Sequence, residues 1–69
     1  MASVKHAIHE HDFVALRHQT GRWPAGTTGT VVSEQGEQRL IEVSDDQGVM
    51  LDLISQPESR LDLVSKHSR

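Results

Sequence analysis

The chain has 69 residues, seven Lys and Arg, ten Asp and Glu, five His and a formal net charge of −3 at pH 7. It contains no cysteine and only two aromatic residues, Phe13 and Trp23. Disulfide staples and thiolate zinc sites are thereby excluded, and the rings are too few for the stacking platforms of single-strand nucleic-acid binders. No apolar run approaches the roughly 20 residues that span a bilayer, and no signal-peptide core opens the chain, so a soluble cytoplasmic protein is expected.

A chain of this length makes one domain and buries only about 60% of the surface its unfolded form exposes, so its core is small. Residues 1–11 mix polar, small and histidine residues with few larger apolar ones, Val4 and Ile8 beside Ala7. They read as a flexible or edge-extending N-terminal tail. Residues 12–17 alternate as a first strand, with Val14 and Leu16 on one face and Phe13 and Ala15 on the other. A loop over 18–22 leads to Trp23, Pro24, Ala25 and Gly26, which read as a tight turn. Gly29 then stands directly before Thr30, Val31 and Val32, which suggests a place where another backbone passes too close for a Cβ.

The second strand is expected over about 28–33, followed by a polar hairpin, Glu34-Gln35-Gly36-Glu37. In the third, 38–44, Arg39, Ile41 and Val43 share a face, and Ile41 and Val43 are the core candidates. Asp45-Asp46-Gln47-Gly48 is the strongest hairpin signal, and a fourth strand over 49–54 has apolar residues on both faces. Residues 55–60 form a polar break whose Pro57 suits a 3₁₀ turn, residues 61–64 a last short strand, and residues 65–69 a frayed C-terminus. Five short strands at such spacings predict an all-β fold, a small closed or nearly closed five-stranded barrel over residues 12–64.

The segments Asp12-Phe13-Val14-Ala15-Leu16, Ala25-Gly26-Thr27-Thr28-Gly29-Thr30-Val31-Val32, Ile41-Glu42-Val43 and residues 51–55 occur in the order found in domain-of-unknown-function family 4926. Over residues 12–64 the chain resembles these small bacterial proteins, which are similar to SH3-like barrels. The resemblance implies an SH3-like barrel without catalytic residues. It also implies an accessory protein of a mobile or toxin-linked gene neighbourhood. The histidine-rich lead-in and Trp23 before the turn proline depart from the family pattern.

His6, His9 and His11 lie among Glu10 and Asp12 and are weak metal-ligand candidates, but a tail offers no second shell to fix the rings, so neither metal nor other cofactor is expected. Asp45 and Asp46 are too few oxygens for calcium and suit the turn instead. No nucleophile elbow, metalloprotease helix or phosphate loop occurs, and the expectation is a protein that is not an enzyme. Trp23, with Arg22 beside it, is either a lid on the barrel end or an anchor in a partner's pocket. Met50 and Ile54 read as apolar outer positions of the fourth strand. Together Trp23, Arg22, Met50 and Ile54 suggest a protein-protein interaction module that self-associates into a homo-oligomer or docks on another protein. The alternative is a nucleic-acid-associated barrel with Arg17, Arg22 and Arg39 converging at one rim, against which the acidic total and the scattered basic residues argue.

Overall fold

In the computed structural model, which describes residues 6–67, the strands are β1 (Phe13–Leu16), β2 (Thr28–Gln35), β3 (Gln38–Ser44), β4 (Met50–Pro57) and β5 (Leu61–Ser65), with a 3₁₀ turn at Glu58–Arg60. They form one antiparallel sheet in the order β4-β3-β2-β1-β5. The expectations for tail residues 1–5 and for 68–69 lie outside the described residues.

Side-chain alternation sorts the strands as the pleat requires. Val14 and Leu16 on β1, Val31 on β2, Ile41 on β3 and Leu61 on β5 are buried in one cluster, against which Trp23 and Ile54 pack. Val43 is buried further along β3, while Phe13 is exposed on the opposite face of β1. Each fully buried aliphatic side chain is worth about 1.5–3 kcal/mol, so a cluster this small leaves little margin.

The closed barrel is not formed: β4 and β5 are the two edges of the sheet. The lead-in segment bridges them instead. Ile8 joins the core cluster, its N–H donates to Glu58 just past β4, and Lys66 just past β5 donates to the Ala7 carbonyl. Residues 6–12 are therefore a packed part of the domain and not an edge extension.

Several boundaries differ from expectation: β2 runs on to Gln35, and β5 takes in Ser65, a residue expected to fray. The tight turn is Pro24 to Thr27, one residue later than predicted, with Thr27 N–H donating to Pro24 O at 3.2 Å and Gly26 at φ +91°. Trp23 belongs to a preceding narrow loop, where it exchanges two backbone bonds with Thr20 at 2.8 and 2.9 Å. Strand β4 continues through Ser55 and Gln56 to Pro57, because β3 supplies ladder partners for all three in Leu40, Arg39 and Gln38. Ile54 is likewise corrected from the outer to the inner face. It pairs with buried Ile41, and Asp52 with buried Val43, so the register on β3 decides which apolar set of β4 turns inward.

The expected close approach at Gly29 is present. A Cβ there would lie 2.6 Å from Ile41 Cγ2 and 2.7 Å from Glu42 O, where neither a buried side chain nor a ladder carbonyl yields easily. The Asp45 hairpin also forms, with Asp45 Oδ1 accepting the N–H groups of Gln47 and Val49, each at 2.9 Å. We expect Gly29→Ala to destabilise the domain by about 2–3 kcal/mol, measured as a fall in the urea midpoint at unchanged slope; a shift under about 0.5 kcal/mol would show that β2 and β3 separate freely.

Candidate functional site

Polar groups cluster under the lead-in segment around Arg39, whose side chain is fully buried. It occupies the core face of β3 beside Ile41 and Val43 because strand alternation puts it there. Its Nε donates to Ile8 O at 2.7 Å, and its Nη1 to Gly36 O and Gln38 O, both at 2.8 Å. Among the described residues Nη2 has no hydrogen bond, and it lies 3.7 Å from Glu34 Oε1 and 3.6 Å from Glu58 Oε2, within ion-pair range of both.

Those two carboxylates hold the lead-in backbone. Glu58 Oε2 accepts from Ala7 N–H at 2.9 Å and Ile8 N–H at 2.8 Å, and Glu34 Oε2 accepts from Glu10 N–H at 3.0 Å. Burial alone would raise the Glu58 carboxyl, but the Ile8 N–H, the His6 ring and Arg39 together hold it below its ordinary value. For Glu34 the Glu10 N–H is the main cause of a lowered value, helped by His9 and Arg39 against partial burial.

Asp12 is the second buried charge. Its Oδ2 accepts from His9 N–H and from Lys66 Nζ, both at 2.9 Å, and its Oδ1 from His67 N–H at 2.8 Å. Burial pushes this carboxyl up, yet those donors more than reverse it and hold it well below the usual carboxylate range. The turn over residues 9–12 also places His11 at φ +75°, a left-handed conformation uncommon outside glycine.

Trp23 packs against the core cluster. Its indole N–H donates to Asp52 Oδ2 at 2.8 Å, and the Arg22 guanidinium lies 4.6 Å above its ring. Chiefly through that indole bond, aided by Leu53 N–H and Arg22, Asp52 is held below its ordinary value.

The other sequence candidates separate. His6 pairs with Glu58, His9 with Glu34 and His11 with Glu10, so the three rings go to three different carboxylates. Among the described residues no group of three His, Cys, Asp or Glu is placed to hold a metal ion. Arg17 pairs with Asp62 at 2.7 Å, Arg22 lies over Trp23 and Arg39 is buried, so the expected basic rim of Arg17, Arg22 and Arg39 is not assembled. Met50 is exposed and Ile54 packs against the core. A cleft of about 410 Å³ lies between the lead-in segment and β5, bordered by His6, Ile8, Glu58, Leu61 and Leu63.

No family model, curated protein or solved structure matches the chain.

Sequence reasoning missed Arg39, Asp12, Glu58 and Asp52 as organising groups. Only Arg39 carried a signal, since it shares the alternating face of Ile41 and Val43. We expect Arg39→Lys, which keeps the charge but loses the planar fork, to destabilise the domain by about 2–3 kcal/mol and to speed amide exchange at Ile8 first. Unchanged exchange there would remove the link between β3 and the lead-in segment.

A pH dependence follows from the same carboxylates. Asp12 and Glu58 have folded values below their ordinary 3.8 and 4.5, so they stabilise the fold above those values. That contribution is lost as pH falls through the lower folded values. The urea midpoint should therefore hold from pH 7 to about 5 and fall steadily below it, with a shallower fall in Asp12→Asn; equal slopes in the two proteins would show that Asp12 is not the titrating group.

Proposed function

We propose that the chain is a non-catalytic protein-interaction module, an SH3-like partly open barrel that self-associates through the exposed side of β4. The supporting observation is a run of apolar residues around an edge strand: Val49, Met50, Leu51 and Leu53 are 57%, 52%, 45% and 46% exposed. Isolated exposed apolar residues are ordinary, but four within five positions on an edge form a patch. A domain with so small a core gains stability by covering it.

The strand order, the long β1–β2 loop and the 3₁₀ turn before β5 support the SH3-like reading of the sheet. A non-catalytic role is supported by the commitment of the clustered carboxylates and rings to backbone N–H groups and to one another. Within the patch the correction at Ile54 moves the contact to Leu51 and Leu53, with Met50 and Arg22 beside them. Trp23 is the lid in this arrangement, since its indole N–H is already satisfied within the chain.

Light scattering after size exclusion tests the reading. The unaltered chain should run at a multiple of its 7.7 kDa mass, and the Leu51→Glu, Leu53→Glu double variant should run at that mass with its fold intact by circular dichroism. A monomer at every concentration, or a mass unchanged by the double variant, would remove self-association through β4.

A further inference from the structure

The two edges of the sheet are finished differently. On β4, alternate residues present backbone groups that side chains occupy: Leu51 O accepts from Arg22 at 3.5 Å, Leu53 N–H donates to Asp52 Oδ1 at 2.9 Å, and Ser55 O accepts from Gln56 at 2.7 Å. Such capping blunts an edge against strand addition.

Among the described residues, strand β5 is not capped in this way. Leu16 on β1 directs both backbone groups toward the β2 side, donating to Thr27 O and accepting from Gly26 N–H, each at 2.8 Å. Its partner Leu61 and, two residues on, Val14's partner Leu63 therefore direct theirs away from β1. Arg60 O, which accepts from Arg17 N–H at 3.0 Å, and the Leu61 N–H, which caps the 3₁₀ turn at Glu58 O, have the parity this requires. Among the described residues no side chain or loop bonds the backbone of Leu63, and the residue is 40% exposed.

Beside that edge is the cleft of about 410 Å³, within the size range of sites that hold small ligands or short segments. Leu63, Ala7 and Pro57 give it apolar surface, and three carboxylates line it, of which Asp62 is paired with Arg17 and Glu58 with Arg39 and His6. Glu37 is exposed and has no ion-pair partner among the described residues.

We infer that this cleft is a strand-addition site for an extended segment of another protein, with apolar residues alternating with lysine or arginine. Its backbone pairs with Leu63, its apolar residues cover Leu63, and its cations meet Glu37. A second copy of this chain fits less well, since it carries a net charge of −3 and brings the same carboxylates to the contact. This site is separate from the β4 surface and stands or falls without it.

The test is a titration of the ¹⁵N-labelled full chain with an acetylated hexapeptide of alternating valine and lysine, followed by amide shifts. It is repeated on the Leu51→Glu, Leu53→Glu variant, so that association through β4 and binding at β5 are read separately. Shifts should concentrate at residues 61–64 and 6–8 and weaken with salt. A valine–glutamate hexapeptide should bind at least about tenfold more weakly.

Leu63→Pro, which removes an N–H outside the β1 ladder, should abolish binding. Glu37→Lys, at an exposed turn position, should weaken it by about threefold or more and keeps the test decisive if the proline variant does not fold. Equal binding of the two peptides, shifts on β4, or none up to about 1 mM peptide would overturn the inference. Shifts at Leu63 that appear with protein concentration alone would give the edge to a second copy. Shifts on deleting residues 1–5 without peptide would give it to the chain's own N-terminus. Either result overturns the assignment to another protein.

Discussion

A guanidinium with no exposure to water is tolerated only where the protein replaces its hydration, and Arg39 determines much of this domain by what it requires. Three backbone carbonyls, from Ile8, Gly36 and Gln38, take Nε and Nη1, while Glu34 and Glu58 flank Nη2. One of those carbonyls belongs to the lead-in segment, and both glutamates use their other capacity to bind its N–H groups. The charge on β3 is thus neutralised by the groups that fix residues 6–10. A methionine there could fill the space, but it would leave those carboxylates without a cation and the segment without a defined path. The arginine contributes position more than net stability.

The same logic explains why an open sheet can serve so short a chain. Closing the barrel would need a ladder between β4 and β5, whereas here their ends are joined through side chains, Glu58 on one side and Lys66 with Asp12 on the other. Ile8 then supplies the apolar contact that a closed seam would have supplied. Polar bonds to backbone N–H groups replace strand pairing, so the arrangement depends on ionised carboxylates in a way that a hydrogen-bonded ladder does not.

What could be read from the residues was local and periodic. Alternation located the inner faces of β1 and β3, a glycine before a β-branched run marked the close approach at Gly29, and Asp45 with Gly48 marked a hairpin. What could not be read depended on partners distant in sequence. Nothing near Ile8 says that it meets Leu61, and nothing near Glu58 says that it faces residues 50 positions earlier. The β4 faces were ambiguous for the same reason: both were apolar, and only pairing with Ile41 and Val43 assigns Ile54 and Asp52 inward. A buried arginine on an otherwise apolar face was legible as an anomaly, but its resolution needed the lead-in segment.

Trp23 shows how one residue can close a core and constrain a surface together. Its indole N–H fixes Asp52, whose other carboxylate oxygen then caps Leu53 N–H, and neighbouring Arg22 reaches both the ring and Leu51 O. The lid over the core is therefore also the cap on the β4 edge. Any partner at β4 has to pack on side chains such as Leu51 and Leu53, because backbone pairing there would first have to displace Asp52 and Arg22. Among the described residues, edge β5 presents the reverse case, with the Leu63 backbone groups open and fewer apolar side chains beside them. Partners at the two edges would be selected by different physics, shape and apolar area at one and hydrogen-bond register with charge at the other, so that two such contacts would not compete.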